Sequence, residues 1–447
     1  MTASQTLAAF AAGLKYEDIP AAVIERAKAC IADTIAACTF GAQLPWSRIV
    51  IDLAKENSAA GDASILGTPY AIRPPYAALA NGATAHAFEL DSMCQPSVGA
   101  HPGAGLAVPG LAVAQAQRNS GRELITAFVA GAEVMYRIGD AAHHSSEKIG
   151  FHAPGLLGVF GGAVTTGLLL KLDTERLTHA LGIAGSLTAG ILEFSKSGGM
   201  VKRLHLGRAA EGAVNAALLA GNGFTGPAQV IEGKFGFLNV FCRDPDMAKL
   251  TAGFGETWHT LKTTLKCYAC HSTAHVPVTA ALAIKAQGVN GDDIESIVVS
   301  GSEKMCSHHD ISEPQDMTTA QYSAPFSVAL AFYRDPRDPG VFNDAALNDP
   351  AIRALTRKVR LEVRARQAGD TTLASCVTVH LKNGRSIEET CQFFPGMPQR
   401  PLTVDELRTK FLALTGSLPP AQATQLFARY MTLETMTDVR ALATGIA

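Results

Sequence analysis

Residues 155–170 read GLLGVFGGAVTTGLLL, a run without a single charged side chain. As a helix it would extend about 24 Å, less than the roughly 20 residues needed to cross a bilayer, and its glycines and threonines lower its apolar character further. A run with no polar face has to be enclosed by other elements, so the chain must build a helical layer around it. Its neighbours in sequence have the same texture. PAAVIERAKACIADTIAACTFGA (20–42), PPYAALANGATAHAFEL (74–90), GRELITAFVAGAEVMYRIGDAA (121–142), DTERLTHALGIAGSLTAGIL (173–192) and GRAAEGAVNAALLAGNGF (207–224) place apolar residues at three- and four-residue spacing and are crowded with Ala and Gly. Small residues let helix backbones approach closely, which predicts a tight bundle whose inner helices are nearly charge-free.

The pattern changes near residue 270. HVPVTAALAIKAQG continues as helix, but IESIVVSGSEK, KVRLEVRA and ASCVTVHLKNGRSIEET alternate or run β-branched, and KNG within the last suits a hairpin turn. From LTVDELRTKFLALTG onward the helical texture returns. The expected fold is therefore mainly α: a large all-helical domain (1–266 and 396–447) with an inserted, smaller α+β lid domain (267–395).

Composition excludes several classes of function. Of 447 residues, 47% are hydrophobic and 17% charged, with a net charge of -2, so the chain has a large core and no electrostatic footprint for nucleic acid. The N-terminus lacks the positive start and continuous apolar stretch of an export signal, and the nine cysteines are scattered apart from 267 and 270. Both features read as a cytoplasmic protein with reduced thiols and no membrane partner. GAVTTGL lacks the lysine of a phosphate-binding loop and GAGLAVPG lacks dinucleotide spacing, so no nucleotide cofactor is expected. LKCYACHSTAH (265–275) contains C-x-x-C-H, the attachment signature of a c-type haem, and with His275 four potential zinc ligands. Haem attachment follows export. Positions 267, 270, 271 and 275 follow helical spacing, and one helix face does not surround a tetrahedral ion. No metal is expected.

The informative polar residues are those stranded in Gly/Ala-rich surroundings. They are Asp91 and His101 in ELDSMCQPSVGAHPG, His152 in GFHAPG, and Lys202, Arg203, His205 and Arg208 in a glycine-bounded loop at a helix start. Lys266 and His271 follow in LKCYACH, and Tyr322 in TTAQYSAPF, at the start of an insert-domain helix. The histidine pairs 143/144 and 308/309 lie in polar stretches and read as exposed.

Taken together, HAFELD…GAHPG, GFHAPG, VKRLHLGRAAEGA, LKCYACHSTAH and AQYSAPF occur in the order and approximate spacing of the MmgE/PrpD family, which the chain resembles over nearly its whole length. That family includes 2-methylcitrate dehydratase, cis-aconitate decarboxylase and iminodisuccinate epimerase. The resemblance implies a helical domain with an α+β lid, a homodimer, and no required metal or organic cofactor. It carries the family's site onto Asp91, His101, His152, Lys202, Lys266, His271 and Tyr322. Where decarboxylases have an aspartate-rich DFDDT-like stretch, this chain has Asp91-Ser92-Met93-Cys94-Gln95, with Gln95 standing where a Thr is expected.

Small di- and tricarboxylates are multiply charged, and enclosing them requires matched cations and donors, a need that Lys202, Lys266, His271 and Gln95 meet. His101 oriented by Asp91 is the leading proton-transfer group, with His152 or Tyr322 moving a second proton. The expected activity is a cofactor-independent, 2-methylcitrate dehydratase-like hydro-lyase. A cis-aconitate-type decarboxylase or iminodisuccinate-type epimerase in the same pocket is the alternative, and a non-catalytic anion-binding relative a more distant one.

Overall fold

The computed structural model describes residues 1–96 and 98–445. The chain is mainly α-helical and forms two compact units. One comprises Met1–Ala87, Asp91–Thr264 and Leu407–Ala447; the other comprises Phe88–Leu90 and Leu265–Glu406. No helix among the described residues is long and apolar enough to cross a membrane.

In the first unit the charge-free run forms the helix Ala153–Leu169, buried along almost its whole length. It starts where the sequence dictates: His152 is extended at the N-cap, and Pro154 occupies the first turn, where a missing N–H costs nothing. It packs between the helices Gly121–Ala142 and Val201–Gly221. The former opens on a capping box in which Ser120 and Glu123 each satisfy the other's backbone N–H.

Glycine sets the approach of the helices that carry the site. Pro74–Ala85 and Val201–Gly221 cross at Gly82 and Gly207. A Cβ on Gly82 would lie 2.7 Å from the Leu206 carbonyl oxygen, and one on Gly207 would lie 2.6 Å from that of Leu79. Any larger residue would force the helices apart and separate the groups at their ends. The chain then passes His101 into a π-helical turn, Gly103–Ala107, which runs directly into Val108–Gln117. Such turns recur at functional sites.

The first unit is not purely helical, as two short antiparallel pairings, Ala60–Ser64 with Ala71–Ile72 and Met93–Cys94 with Thr263–Thr264, tie its loops. Its C-terminal helix Pro420–Met431 packs on Ala21–Gly41. Lys410 pairs with the buried Asp33 at 2.5 Å, and Lys28 reaches Glu434 at 3.1 Å.

The second unit is built on a four-stranded sheet in the order Val359–Val363, Ile294–Gly301, Ser375–Leu381, Ser386–Cys391. The first pair is parallel and the others antiparallel. The last two strands form the KNG hairpin, with Gly384 at φ +85°. Ile297 and Val299 lie opposite Val379 and Val377, so the apolar alternation of both strands is in register on one buried face. Ser272–Lys285 packs against Ala324–Tyr333 and against the hairpin strands.

Candidate active site

In the first unit the site grows from the end of Pro74–Ala85, where His86 is the residue that leaves helical geometry. Five residues on, Asp91 is fully buried. One of its oxygens, Oδ2, accepts two hydrogen bonds, from Nδ1 of His86 at 2.9 Å and from Nδ1 of His101 at 2.7 Å. A bare nitrogen lone pair facing an anionic oxygen at these distances would be repulsive, so both rings carry their proton on Nδ1 and present Nε2 away from the carboxylate. Desolvation opposes charge on Asp91, but the two imidazoles outweigh it and hold its carboxyl well below the usual range. Burial lowers His86 to about 3, against the pull of Asp91, so this ring stays neutral at working pH. Its Nε2 and Oδ1 of Asp91 are buried without a hydrogen-bond partner.

His152 is 5% exposed, and its ring lies 5.9 Å from that of His86, centroid to centroid. Its Nδ1 meets Nδ1 of His205 at 3.0 Å. Burial, reinforced by the neighbouring histidines, drives His152 well below its ordinary value; burial and Lys202 lower His205. Lys202, 8% exposed, lies one turn before His205 on Val201–Gly221. Four imidazoles and one ammonium thus gather near a single carboxylate. Arg203 serves the frame: its Nε donates to the Ala87 carbonyl at 3.1 Å and its guanidinium covers the Trp46 ring. Arg208 pairs with Glu211 and is largely exposed. Gln95 donates its backbone N–H to the Lys262 carbonyl at 2.9 Å, and its side-chain amide lies against Sδ of Met93.

The second unit brings together another set. Lys266, 2% exposed, pairs with Glu89 at 2.9 Å, and Glu89 holds the left-handed conformation at φ +57°. His271 is the N-cap of Ser272–Lys285, its Nδ1 accepting from the backbone N–H of Thr273, which leaves the proton of the neutral ring on Nε2. The His271 ring stacks on His309 at 3.9 Å, and Tyr322 lies 5.2 Å from His271 and 5.5 Å from His309. His309 Nδ1 donates to the Tyr322 carbonyl at 3.0 Å.

Several sequence expectations are corrected here. His309 is buried, not exposed, because the turn after Glu303–His308 folds it beneath Tyr322. Tyr322 ends the short helix Met317–Tyr322 and stands just before Ser323, the N-cap of Ala324–Tyr333. Lys202 and His205 lie inside Val201–Gly221, not in the loop before it. Helical spacing does not govern residues 267–271, since the helix begins only at Ser272. Cys267 Sγ donates to the Pro395 carbonyl at 2.9 Å, Cys270 is buried with its thiol pushed up to about 12, and His275 Nε2 lies 3.2 Å from the Cys270 carbonyl. Cys267 Sγ and His275 Nε2 are thus engaged with the backbone.

Sequence reasoning did not assign site roles to His86, His205, Glu89 or His309. The signal for His86 was its spacing of five from Asp91 at a helix end; His309 left none. Among the described residues, His86, Asp91 and His101 are the group whose ligand atoms approach one another closely enough to consider a metal. Their N···O distances of 2.7 and 2.9 Å are hydrogen-bond lengths, whereas tetrahedral zinc ligands stand about 3.4 Å apart. The trio is built to hold protons.

Comparison with known proteins agrees with the resemblance read from the motifs. The MmgE/PrpD N-terminal domain matches residues 5–250 and the MmgE/PrpD C-terminal domain residues 268–432. The cis-aconitate decarboxylase of Aspergillus terreus (strain NIH 2624 / FGSC A1156) is 29% identical over 461 residues, covering 97% of this chain and 93% of its own. The cis-aconitate decarboxylase-like protein oryM of Aspergillus oryzae is 27% identical, with 96% and 94% covered. The human cis-aconitate decarboxylase is 27% identical, with 90% and 85% covered.

Proposed function

Because the chain belongs to the MmgE/PrpD family, we propose that it is a cofactor-independent lyase that decarboxylates a small unsaturated tricarboxylate of the cis-aconitate type. The observation that carries this reading is the His101–Asp91–His86 set beside Lys202, with Asp91 and His86 buried and His101 partly so. Loss of CO2 breaks a carbon–carbon bond and leaves its electron pair on carbon, delocalised toward a neighbouring carboxylate as an enediolate-like charge. A preorganised donor aimed at such charge contributes about 3–4 kcal/mol. Lys202 neutralises a substrate carboxylate. His101, held by Asp91 through Nδ1–H, takes a second proton on Nε2 from solvent and delivers it to carbon, and His152 exchanges a proton with the enediolate oxygen. Lys266, His271 and Tyr322 keep the roles that the family resemblance gives them, the first two binding substrate and Tyr322 assisting proton transfer, and Gln95, a departure from the family pattern, is a further substrate-binding residue. The reading extends to a cytoplasmic homodimer.

A hydro-lyase of the 2-methylcitrate dehydratase type is the second reading. It is favoured by the departure of Asp91-Ser92-Met93-Cys94-Gln95 from the aspartate-rich decarboxylase stretch. Incubation with cis-aconitate, citrate-, methylcitrate- and aminodicarboxylate-type acids in heavy water, followed by NMR, separates the readings. Release of CO2 with one deuterium at carbon supports decarboxylation. A new alkene with loss of water supports the hydro-lyase, exchange without net change an epimerase, and binding without turnover of any acid overturns all three. Lys202→Ala raises KM roughly 10²- to 4 × 10³-fold, the equivalent of about 3–5 kcal/mol for a buried charge losing its partner. An unchanged KM removes Lys202 from carboxylate binding.

A further inference from the structure

His152 and His205 face each other through the same ring nitrogen. Their Nδ1 atoms are 3.0 Å apart. Two protonated nitrogens would clash there, and two bare lone pairs would repel, so the neutral pair shares one proton between the two Nδ1 positions. Only two arrangements satisfy this. In one, His205 donates, and His152 carries its other proton on Nε2 as an acid. In the other, His152 donates, and its Nε2 is a bare acceptor. The proton position on His205 therefore decides what His152 offers at Nε2.

The surroundings suit such a switch. His152 lies in the helix N-cap with its ring wedged against Phe194, and its backbone N–H is fixed by the Gly190 carbonyl at 3.0 Å. Gly190, at φ +127°, passes directly over the His205 ring, where a Cβ would lie 3.1 Å from Nδ1. The flanking residues of this segment, Ile191, Glu193 and Ser195, are exposed. The charged and titratable groups around the pair are Lys202, on the helix of His205, and His86, His101 and Asp91, which act on His152. Burial and these neighbours disfavour a positive charge on either ring of the pair, which favours a mechanism in which both stay neutral.

We propose that His205 is a positioning residue that sets the tautomer of His152 and lets it give and recover one proton within a turnover without becoming charged. This rests on the decarboxylase reading. As CO2 leaves, Nε2–H of His152 passes to the enediolate oxygen. Nδ1 of His152 takes the proton from Nδ1 of His205, and Nε2 of His205 takes one from water, leaving hydroxide. When His101 protonates carbon, the three transfers reverse: the oxygen returns its proton to His152, Nδ1–H returns to His205, and Nε2 of His205 returns its proton to the hydroxide. The pair ends as it began, and the net proton placed on carbon comes from His101, which is recharged from solvent.

The test uses the full-length protein and three variants. His205→Asn retains a side-chain amide that can bond Nδ1 of His152 but cannot relay a proton. It should fold, keep KM within about threefold, and lose about 10²-fold in kcat, the lower end of the range for acid–base groups. His205→Ala should show the same loss and recover part of it on addition of free imidazole, whereas His152→Ala should not recover. A kcat for His205→Asn within about twofold of wild type, or an imidazole-insensitive His205→Ala whose loss of activity merely follows its loss of melting temperature, overturns the proposal. An independent measurement separates this from failure of the decarboxylase reading. ¹⁵N NMR of the resting protein should show one protonated and one bare Nδ1 coupled through the hydrogen bond. If wild-type protein releases no CO2 yet shows this coupling, the reaction assignment is wrong and the shared proton stands. If it releases CO2 and both Nδ1 atoms are protonated, the shared-proton proposal falls.

Discussion

Replacing Asp91 by asparagine keeps the shape of the site and removes its one anion. Oδ2 of Asp91 accepts from His101 at 2.7 Å and from His86 at 2.9 Å. An asparagine oxygen can still accept one or both bonds, so the loss is the difference between charge-assisted and neutral bonding, about 1–1.5 kcal/mol per bond. The larger effect falls on the proton-loaded form of His101. A carboxylate about 4 Å from the imidazolium charge centre, at an effective dielectric of about 20, stabilises it by about 4 kcal/mol. With the neutral hydrogen bond retained, about 3–4 kcal/mol is lost to the chemical step. At about 1.4 kcal/mol per tenfold this predicts a kcat about 10²–10³ times lower, with KM little changed. Stability should change less, because a buried charge disappears along with its bonds. The assay is steady-state CO2 release on protein whose melting temperature lies within a few degrees of wild type. A folded Asp91→Asn variant with kcat within about threefold of wild type would refute the assignment of Asp91 as the support of His101.

Three further outcomes are expected. Lys266→Met leaves the Glu89 carboxylate without its ammonium and should cost about 3–5 kcal/mol in urea unfolding, with much of this recovered in Lys266→Met/Glu89→Gln; no recovery would mean that the lysine acts through packing rather than charge. Cys267→Ser with Cys270→Ser should retain substantial activity and purified protein should carry no stoichiometric metal, whereas about one zinc or iron per chain and chelator-abolished turnover would contradict the cofactor-free reading. His86 is lowered to about 3 in the folded state, so between roughly pH 6.5 and 3 the unfolded chain binds its proton first and stability falls as pH falls, by up to about 1.4 kcal/mol per pH unit. His86→Gln should flatten the dependence of unfolding free energy on pH in that window, and an unchanged slope would show that His86 is not held neutral.

Charge-free stretches, their Gly and Ala content and their periodicity are local properties, and they were enough to predict the mainly α architecture, the buried helix Ala153–Leu169 and the β-strands between residues 294 and 391. The motif series was enough to recognise the family, because linked motifs constrain one another in order and spacing. Grouping within the site was decided elsewhere. Nothing local couples His152 to His205, 53 residues apart; they meet because Gly155 and Gly158 of one helix accept close contacts from the Val201–Gly221 helix. His86 looked like the tail of a helix until the crossing at Gly82 and Gly207 fixed that helix end and the return of the chain placed Asp91 and His101 beside it. Glu89 carried no signal of its ion pair with Lys266, 177 positions away, and His309 was read from polar neighbours although the fold buries it under Tyr322. Composition and periodicity report which residues avoid water, a property each segment has alone. Which proton carriers share a bond depends on how distant segments pack, and only the tertiary structure decides that.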